Sequence, residues 1–228
     1  MVKIHHNVLP VELLFAHRIP LWKKLIDMTG AFVALLLFAP IFLLIFLLIK
    51  IASPGPAFFL QKRIGRGGKP FTMIKFRTMH VNADETLHKK YLKDIIQGTA
   101  QIPGSFSRRT MKKLDHENDP RIIPVGKFLR KSHLDELPQL INVLRGEMSL
   151  VGPRPPIPYE AEEYALWHQG RLNVIPGMTG LWQVSGKNDL TFEEMCRLDI
   201  FYSRHFSIWM DLTILWKTIF VVISQAIK

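Results

Sequence analysis

The stretch AFVALLLFAPIFLLIFLLI, residues 31–49, carries no charged side chain. A helix of this length rises about 28 Å, enough to cross the hydrocarbon core of a bilayer. It is apolar on every side, which favours a membrane segment over a buried core helix. A cleaved signal peptide fits poorly: the run is long, it begins well inside the chain, and Ala52-Ser53 leads straight into Pro54. Pro40 lies near its centre, where the missing N–H and the ring clash predict a kink.

The flanks of this run decide how it meets the membrane. Upstream stand Lys3, Arg18, Lys23 and Lys24; downstream, to residue 77, stand Lys50, Lys62, Arg63, Arg66, Lys69, Lys75 and Arg77. A single span would place the richer, downstream side in the cytoplasm. A re-entrant helix that bends at Pro40 and leaves on the face it entered puts both basic flanks in the cytoplasm, and this is the favoured reading. A kinked span is the alternative.

A second membrane candidate closes the chain, FSIWMDLTILWKTIFVVISQAIK from Phe206. Trp209 and Trp216 are seven residues apart and share a helical face, which Leu212, Ile219, Phe220 and Ile223 extend. The pattern suits a helix lying in the membrane interface; a terminal core helix is the competing reading.

The 228 residues hold 30 Lys and Arg against 19 Asp and Glu, a net charge of +11, yet 48% are hydrophobic. Mean hydropathy is +0.12. Such a chain is neither a disordered basic tail nor a typical nucleic-acid module, so no nucleic-acid partner is expected. The charge points to an anionic membrane surface or a phosphorylated substrate. Cys196 is the sole cysteine, which excludes a disulfide framework and suits a reducing compartment. No HExxH or Cys/His spacing suggests zinc. The expected organisation is a membrane anchor over 1–50, a cytoplasmic catalytic domain over 51–205 and an interfacial helix over 206–228. The fold class is α/β, a helix-rich α+β arrangement with short strands.

Within the soluble part, Pro54-Gly55-Pro56 and Gly65-Arg66-Gly67-Gly68 read as turns around extended pieces such as Phe58–Gln61. If Phe71–Met79 is extended, Lys75 and Arg77 face one side. Residues 83–97 read as a helix and 98–118 as a polar, basic loop. Leu137, Leu140, Ile141 and Leu144 recur at helical spacing, with Pro138 in the first turn and Ser132 or Asp135 as N-cap. Either cap sets Asp135 and Glu136 at the helix N-terminus, whose field favours ionised carboxylates. Gly146 ends the helix, and Ser149–Pro155 reads as a stiff turn presenting Arg154.

Adjacent carboxylates are ordinarily a solvated helix cap. Here they follow Lys127, Arg130 and Lys131 and precede Arg154. Carboxylates among arginines are what Mg²⁺-dependent phosphoryl transfer requires, because Mg²⁺ takes one or two protein carboxylates and draws its other ligands from phosphates and water. A carboxylate can also attack phosphorus, and arginines clamp phosphate oxygens.

The stretch DPRIIPVGKFLRKSHLDELPQLINVLRGEMSLVGPRP (119–155) resembles the bacterial sugar transferase family, the monotopic polyprenyl-phosphate phosphoglycosyl transferases. Three further blocks resemble it in the same order: QKRIGRGGKPFTMIKFRTM (61–79), PGMTGLWQVSGKND (176–189) and LDIFYSRHFSIWMDLTILWKT (198–218). The resemblance runs roughly over 20–220 and implies the minimal, catalytic-core form. It implies an enzyme of the bacterial inner membrane, facing the cytoplasm. The reaction moves a sugar 1-phosphate from a UDP-sugar to undecaprenyl phosphate, starting a surface polysaccharide or glycan. Asp135 is then the nucleophile of a covalent phosphosugar intermediate, with Mg²⁺ at Asp135 and Glu136. Arg130 and Arg154 are expected to hold the nucleotide sugar, with Lys75 and Arg77 as weaker candidates. Lys187 stands where the family often has arginine, and it keeps the charge without the planar fork. Ala39 precedes Pro40, where a small polar residue is usual. The segment 80–118 is longer than in the shortest members.

A reading of another class is a membrane-anchored basic protein that binds anionic lipid or nucleic acid. Against it, Lys and Arg are not gathered on one helix, and no known nucleic-acid-binding pattern appears. Release of UMP separates the two readings.

Overall fold

The computed structural model describes residues 18–81, 86–96, 119–186 and 189–227. The first element, α1 (Leu21–Ala52), is a 32-residue helix that starts well before the apolar run and continues through Pro40. Pro20 precedes it in an extended conformation, so the chain enters without a side-chain cap. At 1.5 Å per residue α1 is about 48 Å long.

One stripe of α1 packs on the rest of the molecule. Lys23, Asp27 and Ala31 are buried near its start and Ile45 and Ile49 near its end. Residues 36–41, around Pro40, are all exposed, so the stripe is interrupted there. The remaining faces display large apolar side chains, among them Phe32, Leu36, Leu37, Leu43, Leu44 and Leu47. A surface of this kind needs lipid or protein to cover it.

Arg77 closes α1. Its Nη2 donates to Ser53 O at 2.7 Å and its Nη1 to Pro54 O at 2.7 Å. Gly55 follows at φ +112°, and a Cβ there would come within 2.8 Å of the Arg77 guanidinium. The turn therefore requires glycine.

The chain then forms a hairpin of β1 (Phe58–Ile64) and β2 (Pro70–Phe76), antiparallel, with Phe58 opposite Phe76 and Ile64 opposite Pro70. Extended structure was expected at both places. β2 ends at Phe76, so Arg77 leaves the strand face it was expected to share with Lys75. Phe76 lies against Phe42 of α1 with ring centroids 4.6 Å apart, seating the hairpin on the helix.

Helix α2 (Thr86–Ile96) falls inside the expected 83–97. The expected loop over 98–118 lies outside the described residues, as does Lys187. Short helices α3 (Gly126–Lys131) and α4 (Gln139–Leu144) follow, and Gly146 at φ +73° ends the second. Strand β3 (Ser149–Val151) occupies the start of the stretch expected to be a turn. It pairs in parallel with β4 (Gly177–Thr179), after the single turn α5 (Pro158–Ala161) and a 3₁₀ segment over Leu166–Asn173. The two backbones approach so closely that a Cβ on Gly177 would lie 2.0 Å from Gly152 N.

The chain finishes with α6 (Leu181–Val184), α7 (Phe192–His205) and α8 (Ile208–Ile227). Thr191 and Glu194 form a reciprocal capping box at the start of α7. On α8, Trp209, Leu212, Trp216, Ile219, Phe220 and Ile223 are exposed, while Asp211 and Ile214 are buried. The helix therefore packs a narrow inner face on the protein and presents an apolar outer face. Both helices are long and apolar enough to cross a membrane by length and composition.

Candidate active site

The expected acidic pair sits in a single 3₁₀ turn, Leu134–Glu136, between α3 and α4. Neither Ser132 nor Asp135 acts as the N-cap expected of it. Ser132 Oγ instead donates back to Phe128 O at 2.8 Å, closing α3. The continuous helix expected from this region is broken because Pro138 has no N–H to extend the ladder. Tighter bonds take over, from Glu136 N to His133 O at 3.1 Å and from Leu137 N to Leu134 O at 3.3 Å. α4 begins beyond the proline, which is its N-cap.

The turn is launched by His133, at φ 58° and ψ 13°. Among the described residues it is the one non-glycine with positive φ. Histidine tolerates this region better than a β-branched residue would. The reversal aims Asp135 and Glu136 at the β1–β2 hairpin.

Two cations meet Glu136. Lys75 Nζ on β2 donates to Glu136 Oε1 at 3.0 Å, and Arg154 Nη1 approaches the same oxygen at 3.5 Å. Both carboxylate and lysine are largely shielded, with side chains 15% and 13% exposed, so solvent screens this pair less than a surface ion pair. Burial pushes Lys75 down to about 8, against the upward pull of Glu136 and Asp135, while Arg154 and Arg63 push it down further. Asp135 is half-buried on the same turn. Arg130 is also half-buried, in the last turn of α3. Its charge helps Arg121 hold Asp119 down at about 2, the Arg121 hydrogen bond being the larger cause.

The structure thus brings Lys75, Arg154 and Glu136 into contact and places Asp135 beside them. Arg77 is not in this group. It is 4% exposed, and its hydrogen bonds go to the carbonyls that end α1, which corrects its assignment as a phosphate contact.

Arg154 is held by residues the sequence reading passed over. The guanidinium of Arg63 on β1 is buried, donates to Pro155 O at 2.8 Å and grips Gln61 Oε1 with its other nitrogens at 3.1 and 2.7 Å. Next to it, Ile64 N donates to Pro156 O at 2.9 Å. Burial pushes Arg63 down to about 10, and the neighbouring Arg154 adds to the effect. From the other side, Arg171 Nη2 reaches Arg154 O at 3.5 Å and forms a buried ion pair with Asp199. The alternation of Gln61 and Arg63 on a strand was the available signal for this clamp.

Among the described residues no three His, Cys, Asp or Glu side chains form a metal cluster. Asp135 and Glu136 nevertheless supply hard oxygen donors, a set that fits Mg²⁺ with phosphate and water completing its shell.

Residues 18–225 match the family described as Bacterial sugar transferase. The chain is 43% identical over 198 residues to the exopolysaccharide production protein ExoY of Rhizobium meliloti, covering 86% of this chain and 83% of that protein. It is 44% identical over 203 residues to the galactosyl transferase CpsE of Streptococcus agalactiae, covering 88% of this chain and 42% of CpsE. It is 42% identical over 204 residues to the undecaprenyl-phosphate galactose phosphotransferase of Salmonella typhimurium, covering 89% of this chain and 40% of that protein. The chain therefore spans most of ExoY and about two-fifths of the other two. With a match running from before α1 into the last turn of α8, this chain belongs to the bacterial sugar transferase family.

Proposed function

We propose that the protein transfers a sugar 1-phosphate from a UDP-sugar to undecaprenyl phosphate, the first step of a bacterial surface polysaccharide or glycan. The observation that carries this is the convergence of Lys75 and Arg154 on Glu136, one residue from Asp135. Two cations beside adjacent carboxylates suit a substrate whose reacting atoms are phosphates.

In the first half-reaction a carboxylate oxygen of Asp135 attacks the phosphorus that bears the sugar. The bond from that phosphorus to the bridging oxygen breaks, and UMP leaves with the bridging oxygen. An aspartyl phosphosugar remains. In the second, a phosphate oxygen of undecaprenyl phosphate attacks the same phosphorus, and Asp135 departs as free carboxylate. Arg154 and Lys75 move from Glu136 to the incoming phosphate oxygens, and Arg130 serves the nucleotide. Mg²⁺, held by Asp135 and Glu136, would offset charge on the diphosphate.

The attachments of α1 support a re-entrant membrane arrangement. Its start binds β3, through Lys23 Nζ to Val151 O at 2.9 Å and Leu150 N to Asp27 Oδ1 at 3.0 Å. Its end packs Ile45 and Ile49 with Phe76, Ile123 and Leu129. A helix tied at both ends to one body enters and leaves on one face, and the exposed girdle at 36–41 is its deepest part. The catalytic body then lies on the cytoplasmic face of the inner membrane, with α8 in the interface beside it. The relatives' names support the lipid-carrier reaction, and the exposed apolar faces support the membrane setting.

The test is UMP release from a panel of UDP-sugars with undecaprenyl phosphate, with Mg²⁺ and with EDTA. Turnover with one or more sugars, silenced by EDTA and restored by Mg²⁺, is the expected result. Sustained turnover in EDTA overturns the metal's role, and no UMP from any UDP-sugar overturns the reaction.

A further inference from the structure

The C-terminal helix reaches the catalytic turn. Gln225, in the last turn of α8, has its Oε1 2.7 Å from His133 Nε2, a contact between residues 92 apart in sequence. Read with Gln225 Oε1 as the acceptor, His133 donates. His133 is the residue whose left-handed backbone launches the 3₁₀ turn, and its carbonyl receives Glu136 N. Whatever fixes His133 therefore fixes the direction of Asp135 and Glu136.

The rest of α8 is held firmly enough to act as a strut. Near its start Asp211 accepts from Lys23 at 2.6 Å and from Tyr202 at 2.7 Å, all three buried. Farther along, Thr218 Oγ1 lies 2.7 Å from Thr179 Oγ1 of β4. Val151 O, which receives both Lys23 Nζ and Tyr202 OH, belongs to the strand that leads into Arg154. One helix thus touches both arms of the site, the Arg154 arm near its start and the dyad arm at its end. Its outer face, with Trp209, Trp216 and Phe220, is the face assigned to lipid.

We infer that α8 is a positioning strut and that Gln225, through His133, holds the Asp135–Glu136 turn in register with Arg154. The catalytic consequence rests on the proposed transferase reaction. The structural consequence does not. Anchoring α8 on the membrane then aligns the dyad as well as tethering the protein.

The test compares the full-length protein with Gln225→Leu and Gln225→Glu in lipid nanodiscs. Glutamate keeps an acceptor for His133 and leucine removes it. Hydrogen–deuterium exchange of a peptide containing Glu136 and Leu137 reads the turn directly. Gln225→Leu is expected to exchange faster there and Gln225→Glu at the wild-type rate. In UMP release, Gln225→Leu is expected to lose about tenfold in kcat with KM for the UDP-sugar unchanged, and Gln225→Glu to retain wild-type kcat. Unchanged exchange in Gln225→Leu overturns the inference, and so does an equal effect of both variants. A wild-type protein that releases no UMP overturns the proposed reaction, while the exchange data still decide the role of Gln225.

Discussion

Lys23 and Asp211, 188 residues apart, form an ion pair at 2.6 Å that joins the first helix to the last. Their side chains are 7% and 2% exposed. Asp211→Ala leaves Lys23 only the longer contact with Asp27, at 3.6 Å, and takes an acceptor from Tyr202 OH, so it is expected to cost about 3 kcal/mol. Thermal unfolding in detergent reads the loss. Asp211→Asn, which still accepts from Tyr202 OH, should be closer to wild type than Asp211→Ala is.

Lys24 and Lys50 are exposed near the two ends of α1 and report its sidedness. Lys24→Cys and Lys50→Cys, each in a Cys196→Ser background, are expected to react with a membrane-impermeant maleimide from the same face of oriented vesicles. Labelling from opposite faces would establish a span instead.

Asp135→Asn removes the nucleophile while keeping the size of the side chain. UMP release should fall by about 10⁴-fold or more, the scale of losing a catalytic nucleophile. A variant that turns over at a tenth of the wild-type rate would assign the attack to another group.

Arg63 acts through the loop that carries Arg154. Arg63→Lys keeps the charge but loses the fork that bonds Pro155 O and Gln61 together. KM for the UDP-sugar should rise about tenfold, with a smaller change in kcat. Steady-state kinetics over a range of UDP-sugar concentrations separates the two parameters.

Cys196 is fully buried on α7, and burial pushes its thiol up to about 12 from 9.0. Iodoacetamide at pH 8 should leave it unmodified in the folded protein and alkylate it in denaturant. The sign of the stability effect follows. Below pH 9 the thiol is protonated in both states. Between about 9 and about 12 the unfolded chain releases its proton and the folded protein keeps it, so stability falls as pH rises through that window. Cys196→Ala should flatten this part of a pH–stability profile.

The hairpin strands, the helix at 86–96 and the outward face of Trp209 and Trp216 were legible because each is a local pattern. The dyad and Arg154 were legible as a motif. Several expectations failed where a partner lies far away in sequence. Lys23 counted as a flanking charge at the membrane, yet it is spent on Asp211 and Val151 inside the protein. Arg77 was grouped with Lys75 by strand alternation, but the strand stops one residue earlier and the turn after α1 claims its guanidinium. Pro138 was placed in the first turn of a helix that began at the dyad, but the proline is itself the N-cap of α4 and the dyad occupies a separate 3₁₀ turn before it.

By itself the sequence determined where this protein is apolar, which family it belongs to and which carboxylates sit together. These follow from composition, period and contiguous motif, all carried by neighbouring residues. Only the tertiary structure decided which cations reach Glu136, what holds Arg154 and where the two long helices are bolted. Those outcomes depend on packing that brings Lys75 to Glu136, Arg63 to Pro155 and Gln225 to His133, and no local rule ranks such distant pairings.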